Sequence, residues 1–290
     1  MIDFSTYEAR LADIPAPSAR ELSEASVAGI QVQWISSSPE VQDVVIIYHG
    51  GGAMIDGGYT ELGRRLAARG SIAVALVDIR GHGRSLGERG KTPATTTIWS
   101  DVDSVIEATR KRFPAARIHL LGHSSGAGMV LNAMTHRNTA REVASLIMLA
   151  PELGPFLPGR KQRKDADPFA TIRLWPFVLN AMSGGRLCKN IDAVTLRYPQ
   201  ELIGRGYVAR YSVAMANALT PSKPVEQLAR LTVPTLLILA GSDELLPNEL
   251  IVSAVDSASN QLISLEISEQ SSHLGILLDD PSPMSAWLER

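Results

Sequence analysis

Gly122-His123-Ser124-Ser125-Gly126 fits the pattern G-x-S-x-G, between an apolar run at 118–121 and a helix-like stretch at 125–137. A serine there sits on a sharp strand-to-helix turn, above a sheet and beside a helix N-terminus that favours developing negative charge. Its hydroxyl is a weak nucleophile at neutral pH and needs a base beside it. Of the six histidines, His273 is the candidate, because Ser271-Ser272-His273-Leu274-Gly275 forms a loop after the last apolar run. His49 ends a strand, His82 belongs to a loop, His119 lies within a buried strand and His136 is near a helix end. His123 is beside Ser124 with its side chain directed elsewhere. The base needs a carboxylate to hold its tautomer. Asp243, in Ala240-Gly241-Ser242-Asp243-Glu244, follows the run 235–239, with Glu244 and Glu152 as alternatives. The chemistry of such a set is attack of a serine on an acyl carbon.

An oxyanion formed in that attack needs two fixed donors. The backbone N–H of Ser125 is one, and His49-Gly50-Gly51-Gly52 offers the other, with Gly51 preferred because a residue lacking Cβ lets the backbone approach a substrate. Gly52 and His123 are further candidates for substrate contact. The glycine-rich stretch could instead cradle phosphate, but it lacks the Gly-Lys-Ser/Thr ending of a P-loop and the G-x-G-x-x-G spacing. No His, Cys, Asp and Glu group has metal-ligand spacing. No cofactor is expected.

The elements that must hold these residues follow from periodicity. Val44–Tyr48, Ile72–Asp78, Ile118–Leu121, Ala144–Leu149 and Thr235–Leu239 are runs apolar on both faces, as in buried strands of a parallel sheet. Stretches 60–69, 97–112 and 125–137 read as helices between them, and Pro114 stops the second. A helix near 247–257, a strand at 261–267 and a C-terminal helix near 282–290 complete the pattern. Strand–helix alternation predicts an α/β fold with a doubly wound, mostly parallel sheet. The alternation breaks between Pro151 and Leu231, where eight prolines and several aromatics fall. We read 1–150 and 232–290 as two parts of one core, and 151–231 as an inserted, mainly helical cap. Phe156, Trp175 and Phe177 of the cap either line an acyl pocket or form the cap's own small core.

Composition limits the remaining choices. Lys and Arg number 28 against 30 Asp and Glu, a formal charge of −2, so no global basic field argues for nucleic acid. A local basic cluster, Arg160-Lys161-Gln162-Arg163-Lys164, is a solvated loop or an attractor for an anionic substrate or membrane surface. One cysteine, Cys188, excludes an intrachain disulfide and reads as a small packed side chain. The N-terminus carries no basic or apolar leader pattern, and no apolar run approaches the roughly 20 residues that span a bilayer. A cytoplasmic protein is therefore expected, and a homodimer stays open.

These motifs resemble the α/β-hydrolase superfamily, within it the branch of monoglyceride lipases, lysophospholipases and proline-iminopeptidase-like serine hydrolases. The likeness rests on His49–Gly52 through Tyr59, Leu62 and Leu66 to Gly70, on Asp78-Ile79-Arg80-Gly81-His82-Gly83-Arg84-Ser85, and on Gly122–Gly128. The loops around Asp243 and His273 fit as well. The resemblance implies that 78–85 shapes the site without catalysing, and that the insertion sets substrate choice. It covers about 27–150 and 232–280. Two departures stand out: a longer, glycine-rich stretch between His49 and Tyr59, and polar Glu269-Gln270-Ser271-Ser272 before His273. The expectation is a serine hydrolase of a small-molecule carboxylic ester, with Ser124 as nucleophile, His273 as base and Asp243 as orienting acid. Thioester, amide, lactone or carbon–carbon hydrolysis on the same triad, or ligand sensing without catalysis, are the alternatives. A haloalkane dehalogenase is disfavoured, because that reaction needs a carboxylate where Ser124 stands.

Overall fold

Val44 to Tyr48 forms the middle of a sheet in which every residue of the strand is buried. Alternate side chains of a strand point to opposite faces, so Val44, Ile46 and Tyr48 enter one core and Val45 and Ile47 the other. A computed structural model describes residues 2–14, 21–136, 142–159 and 168–290. The basic cluster 160–164 lies outside the described residues.

The chain opens with α1 (Phe4–Asp13) and a hairpin of β1 (Glu21–Val27) and β2 (Ile30–Ser36). Then β3 (Asp43–Tyr48), α2 (Tyr59–Ala67), β4 (Ile72–Val77), α3 (Thr95–Arg112), β5 (Arg117–His123), α4 (Ser125–His136) and β6 (Ser145–Leu149) alternate. The insertion holds β7 (Ala170–Ile172), α5 (Leu174–Met182), β8 (Asp192–Leu196), α6 (Gln200–Gly204), β9 (Arg210–Ser212), α7 (Val213–Leu219) and α8 (Pro224–Ala229). The core resumes with β10 (Thr235–Ala240), α9 (Asn248–Ala258), β11 (Ile263–Ser268) and α10 (Ser282–Leu288).

The eight-stranded sheet has the order β1-β2-β4-β3-β5-β6-β10-β11. All pairs from β4 to β11 are parallel, whereas β2 runs antiparallel to both β1 and β4. Val102, Val105 and Ile106 of α3, Met129 and Val130 of α4 and Ile251 of α9 cover one face. Leu62 and Leu66 of α2, with Met284 and Trp287 of α10, cover the other. Each fully buried aliphatic side chain contributes roughly 1.5–3 kcal/mol, so this two-sided core fixes the strand ends from which the reactive loops emerge.

Helices make up most of the insertion's regular structure among the described residues, and β7, β8 and β9 add an unforeseen three-stranded antiparallel sheet. These strands span three, five and three residues, too short for a period of two to stand out in a sequence. Its last helices are joined to the core, since Trp99 Nε1 of α3 and Asn132 Nδ2 of α4 both donate to the Ala218 carbonyl at 3.0 Å. Phe156 is 62% exposed, and Trp175 is 52% exposed beside Leu174, Val178 and Met182 of the same helix, because α5 is apolar almost all round and packs only part of its circumference. Phe177 alone is half-buried against the core. No helix among the described residues is long and apolar enough to cross a membrane.

Candidate active site

Ser124 links β5 to α4 with φ of +53°, a left-handed conformation that costs an L-residue about 1–3 kcal/mol and persists only where the surroundings enforce it. The surroundings are backbone. The Ser124 N–H donates to the Leu149 carbonyl at 2.9 Å, and the Ser124 carbonyl accepts the N–H groups of Ala127 and Glu152. The two flanking glycines are required by close approach. A Cβ on Gly122 would lie 2.5 Å from the Ala127 backbone, and one on Gly126 2.4 Å from the His49 carbonyl oxygen.

His273 Nε2 lies 2.9 Å from Ser124 Oγ, and His273 Nδ1 lies 2.8 Å from Asp243 Oδ2. The other oxygen, Asp243 Oδ1, accepts the N–H groups of Leu245 and Leu246, each at 2.8 Å. Burial by itself would push this carboxyl up, but the His273 ring and the two N–H donors hold it below the usual carboxylate range. The side chains of His273 and Asp243 are 3% and 1% exposed, so little water competes for their bond. Because the carboxylate can only accept, Nδ1 carries the ring proton and Nε2 faces Ser124 as an acceptor. Of the alternative acids, Glu244 accepts the backbone N–H of His273 at 3.0 Å and Glu152 accepts the N–H of Gly154 at 2.6 Å.

The 49–52 loop is fixed at almost every polar atom. The N–H of Gly50 donates to Tyr59 Oη at 2.7 Å, and Tyr59 donates to His123 Nδ1 at 2.8 Å. His123 Nε2 then donates to the His273 carbonyl at 2.9 Å. A second chain runs from the N–H of Gly52 to Tyr211 Oη and from Tyr211 to His82 Nε2 at 2.8 Å. Tyr198 donates to the Gly51 carbonyl, and the Val208 N–H donates to the Gly52 carbonyl at 2.8 Å. His49 Nδ1 donates to the Gly50 carbonyl at 2.9 Å while its Nε2 accepts from the Ile79 N–H at 3.0 Å. Since C=O and N–H point oppositely across a trans peptide, this pins the direction of the Gly51 N–H. Among the described residues that N–H has no acceptor, as it would if reserved for a ligand.

Burial lowers the buried imidazoles: His49 to about 4, His82 to about 3 and His123 to about 3, the last two also by neighbouring histidines. All three are neutral at physiological pH and serve as fixed donors and acceptors. His123 is therefore a spacer between loops, not a substrate contact, and both peptide groups of Gly52 are already engaged by the insertion. The 78–85 loop is tied to the same region, as Asp78 accepts the N–H groups of Ile55 and Arg84 at 2.8 and 2.9 Å. Among the described residues no group of three or more His, Cys, Asp or Glu side chains could hold a metal ion. Tyr198, Tyr211 and Glu244 are positioning residues that motif reading missed in that role. Tyr59 fell within a recognised stretch without a role of its own, and the cap tyrosines carry no local signal.

An elbow serine at the carboxyl end of β5, with its partners after β10 and β11 of a mostly parallel sheet, defines an α/β-hydrolase. Residues 39–280 match the family model described as serine aminopeptidase, S33, and the chain belongs to that family of serine hydrolases. It is 26% identical over 237 residues to a monoglyceride lipase of Rattus norvegicus, covering 80% of this chain and 75% of that one. A monoacylglycerol lipase of Mycolicibacterium smegmatis is 26% identical over 259 residues, covering 85% and 87%. Among solved structures, a soluble variant of monoglyceride lipase from Saccharomyces cerevisiae in complex with a substrate analog superposes with a TM-score of 0.71 at 14% identity, covering 96% and 97%. Est1E from Butyrivibrio proteoclasticus with bound ferulic acid gives 0.63 at 18% identity, covering 92% and 98%. At such identities the structural likeness speaks for the fold.

Proposed function

We propose that this hydrolase cleaves carboxylic esters through an acyl-enzyme on Ser124, with monoacylglycerol-like esters as the substrate class. The observation that carries the proposal is the unbroken line Asp243–His273–Ser124, with bonds of 2.8 and 2.9 Å. His273 Nε2 takes the hydroxyl proton as Ser124 Oγ bonds to the acyl carbon, and the carbonyl electron pair moves onto oxygen. Asp243 keeps the proton on Nδ1 and stabilises the imidazolium. The N–H groups of Gly51 and Ser125 receive the oxyanion. His273 then protonates the departing alkoxide, and water activated by the same ring releases the acid. The names of the curated relatives support the choice of glycerol ester, and Tyr198 and Tyr211 bring the insertion to the edge of the site.

The test is a fluorophosphonate probe, with the adduct located by peptide mass spectrometry. A single adduct on Ser124, absent in Ser124→Ala, is expected. Hydrolysis of a short-chain monoacylglycerol should disappear in the same variant. Folded, unlabelled wild-type protein would overturn the proposal, and a matched amide cleaved faster than its ester would move the substrate class.

A further inference from the structure

Ser125 has a hydroxyl with no apparent task. Its Oγ is buried and has no hydrogen-bond partner among the described residues. A buried hydroxyl left without a partner costs free energy, and serine in a helix usually avoids that by bonding the carbonyl four residues back. Ser125 is the first residue of α4, so no helical carbonyl lies behind it. The space around Oγ is defined by Gly51. A Cβ on Gly51 would lie 3.0 Å from Ser125 Oγ and 3.8 Å from Tyr211 Oη. Tyr211 is already occupied, accepting from Gly52 and donating to His82. The free hydroxyl therefore lies against Gly51, whose own N–H is also without an acceptor among the described residues, one residue from Ser124.

We propose that Ser125 Oγ–H is a third donor to the oxyanion, an inference that rests on the acyl-enzyme reading above. When Ser124 Oγ bonds to the acyl carbon, the carbonyl π pair moves to oxygen and the proton passes to His273 Nε2. The resulting oxyanion has three lone pairs. Two accept the backbone N–H groups, and the third accepts the Ser125 hydroxyl, turned towards it about the Cβ–Oγ bond. A ground-state carbonyl has only two lone pairs and less charge, so the third bond strengthens as the tetrahedral state forms. This is the condition under which a contact raises kcat instead of merely tightening binding. Ser125 is then a catalytic residue in its side chain as well as its backbone.

The test compares wild type, Ser125→Ala and Ser124→Ala as full-length protein. Three readouts are used: p-nitrophenyl butyrate turnover, inhibition by a trifluoromethyl ketone that adds to serine as an oxyanion-bearing hemiketal, and thermal unfolding. Removing one oxyanion donor costs roughly 10²–10³ in kcat where it has been measured. The expected loss for Ser125→Ala is at least tenfold in kcat, with KM changed by less than about threefold. Affinity for the ketone should fall by the same factor as kcat/KM. The unfolding midpoint should stay level or rise, because the alanine variant loses no partner. Unchanged kcat in Ser125→Ala would overturn the third donor while leaving the triad intact, provided that Ser124→Ala is inactive. A lowered midpoint with kcat and KM drifting together would assign the hydroxyl a packing role and overturn it too. If Ser124→Ala retained full turnover, the underlying hydrolase reading would fall instead.

Discussion

The imidazole of His123 donates to the backbone carbonyl of His273 at 2.9 Å, so the residue before the candidate nucleophile holds the loop that carries the candidate base. The bond works because burial keeps His123 neutral: Nδ1 accepts from Tyr59 while Nε2 donates. Tyr59 in turn receives the N–H of Gly50. One buried chain thus joins the glycine loop at 49–52 to the loop that carries His273.

Tyr59→Phe keeps the ring and removes the link. It leaves the Gly50 N–H and His123 Nδ1 unpaired, a loss of about 1–3 kcal/mol. We expect denaturant titration to show that loss of stability, and kcat to fall with it. A variant as stable and as active as wild type would mean that the chain carries no positional information.

The two adjacent carboxylates after β10 should separate in function. Asp243→Asn can present an amide N–H to the His273 ring and favour the wrong tautomer, which costs about 10⁴ in kcat where the same change was measured in another triad. Glu244→Gln retains an oxygen to accept the His273 N–H, so its kcat should change by no more than about tenfold, since a neutral acceptor replaces a charged one. Steady-state kinetics on both decide the assignment. If Glu244→Gln proved the costlier, the acid would be Glu244.

Asp43, at the opposite end of β3, offers a test of stability without function. Its carboxylate meets Arg117 Nε at 2.7 Å and His119 Nε2 at 2.9 Å. Burial opposes the charge, yet the bonds from His119 and Arg117 hold the carboxyl below its ordinary value. A carboxyl lowered in the folded state stabilises fully above its unfolded pKa of about 4, and that contribution is lost as pH falls through the lower folded value. Asp43→Asn should therefore cost on the order of 2–3 kcal/mol between pH 5 and 8, and the difference from wild type should shrink below pH 4. Equal unfolding curves at pH 7 would contradict this, and kcat should not change.

Gly126→Ala tests the elbow. Its methyl would be forced against the carbonyls of His49 and Tyr48, at 2.4 and 2.7 Å. Neither carbonyl can retreat without displacing β3, so the change should cost several kcal/mol, the upper range for overpacking. Circular dichroism melts would register it. A fully stable, active variant would show that the strand–helix contact is looser than described.

The legible parts of the fold were those written in continuous stretches of sequence. Runs such as Thr235–Leu239, apolar on both faces, announced buried strands, and the motif around Ser124 announced the elbow, because each is a local pattern. The β1–β2 hairpin went unseen: its turn at Ala28-Gly29 is a weak signal and its strands mix polar and apolar residues. Tyr198 and Tyr211 were invisible for a different reason. Their partners, Gly51 and Gly52, lie 147 and 159 residues away, and no local rule connects them. Phe156 and Trp175 are more exposed than their aromatic character suggests, Trp175 because α5 turns much of its apolar surface outward.

The hydrogen bonds from Tyr198 and Tyr211 to the glycine loop also bear on how such a molecule can diversify. A cap anchored only by its ends could be exchanged among relatives like a fitting, altering which molecules enter and leaving the rate of reaction to the scaffold below. Here the transplanted piece would have to bring two phenols in register with Gly51 and Gly52, or the recipient would keep its appetite and lose its speed. In this chain the insertion and the glycine loop can change only together.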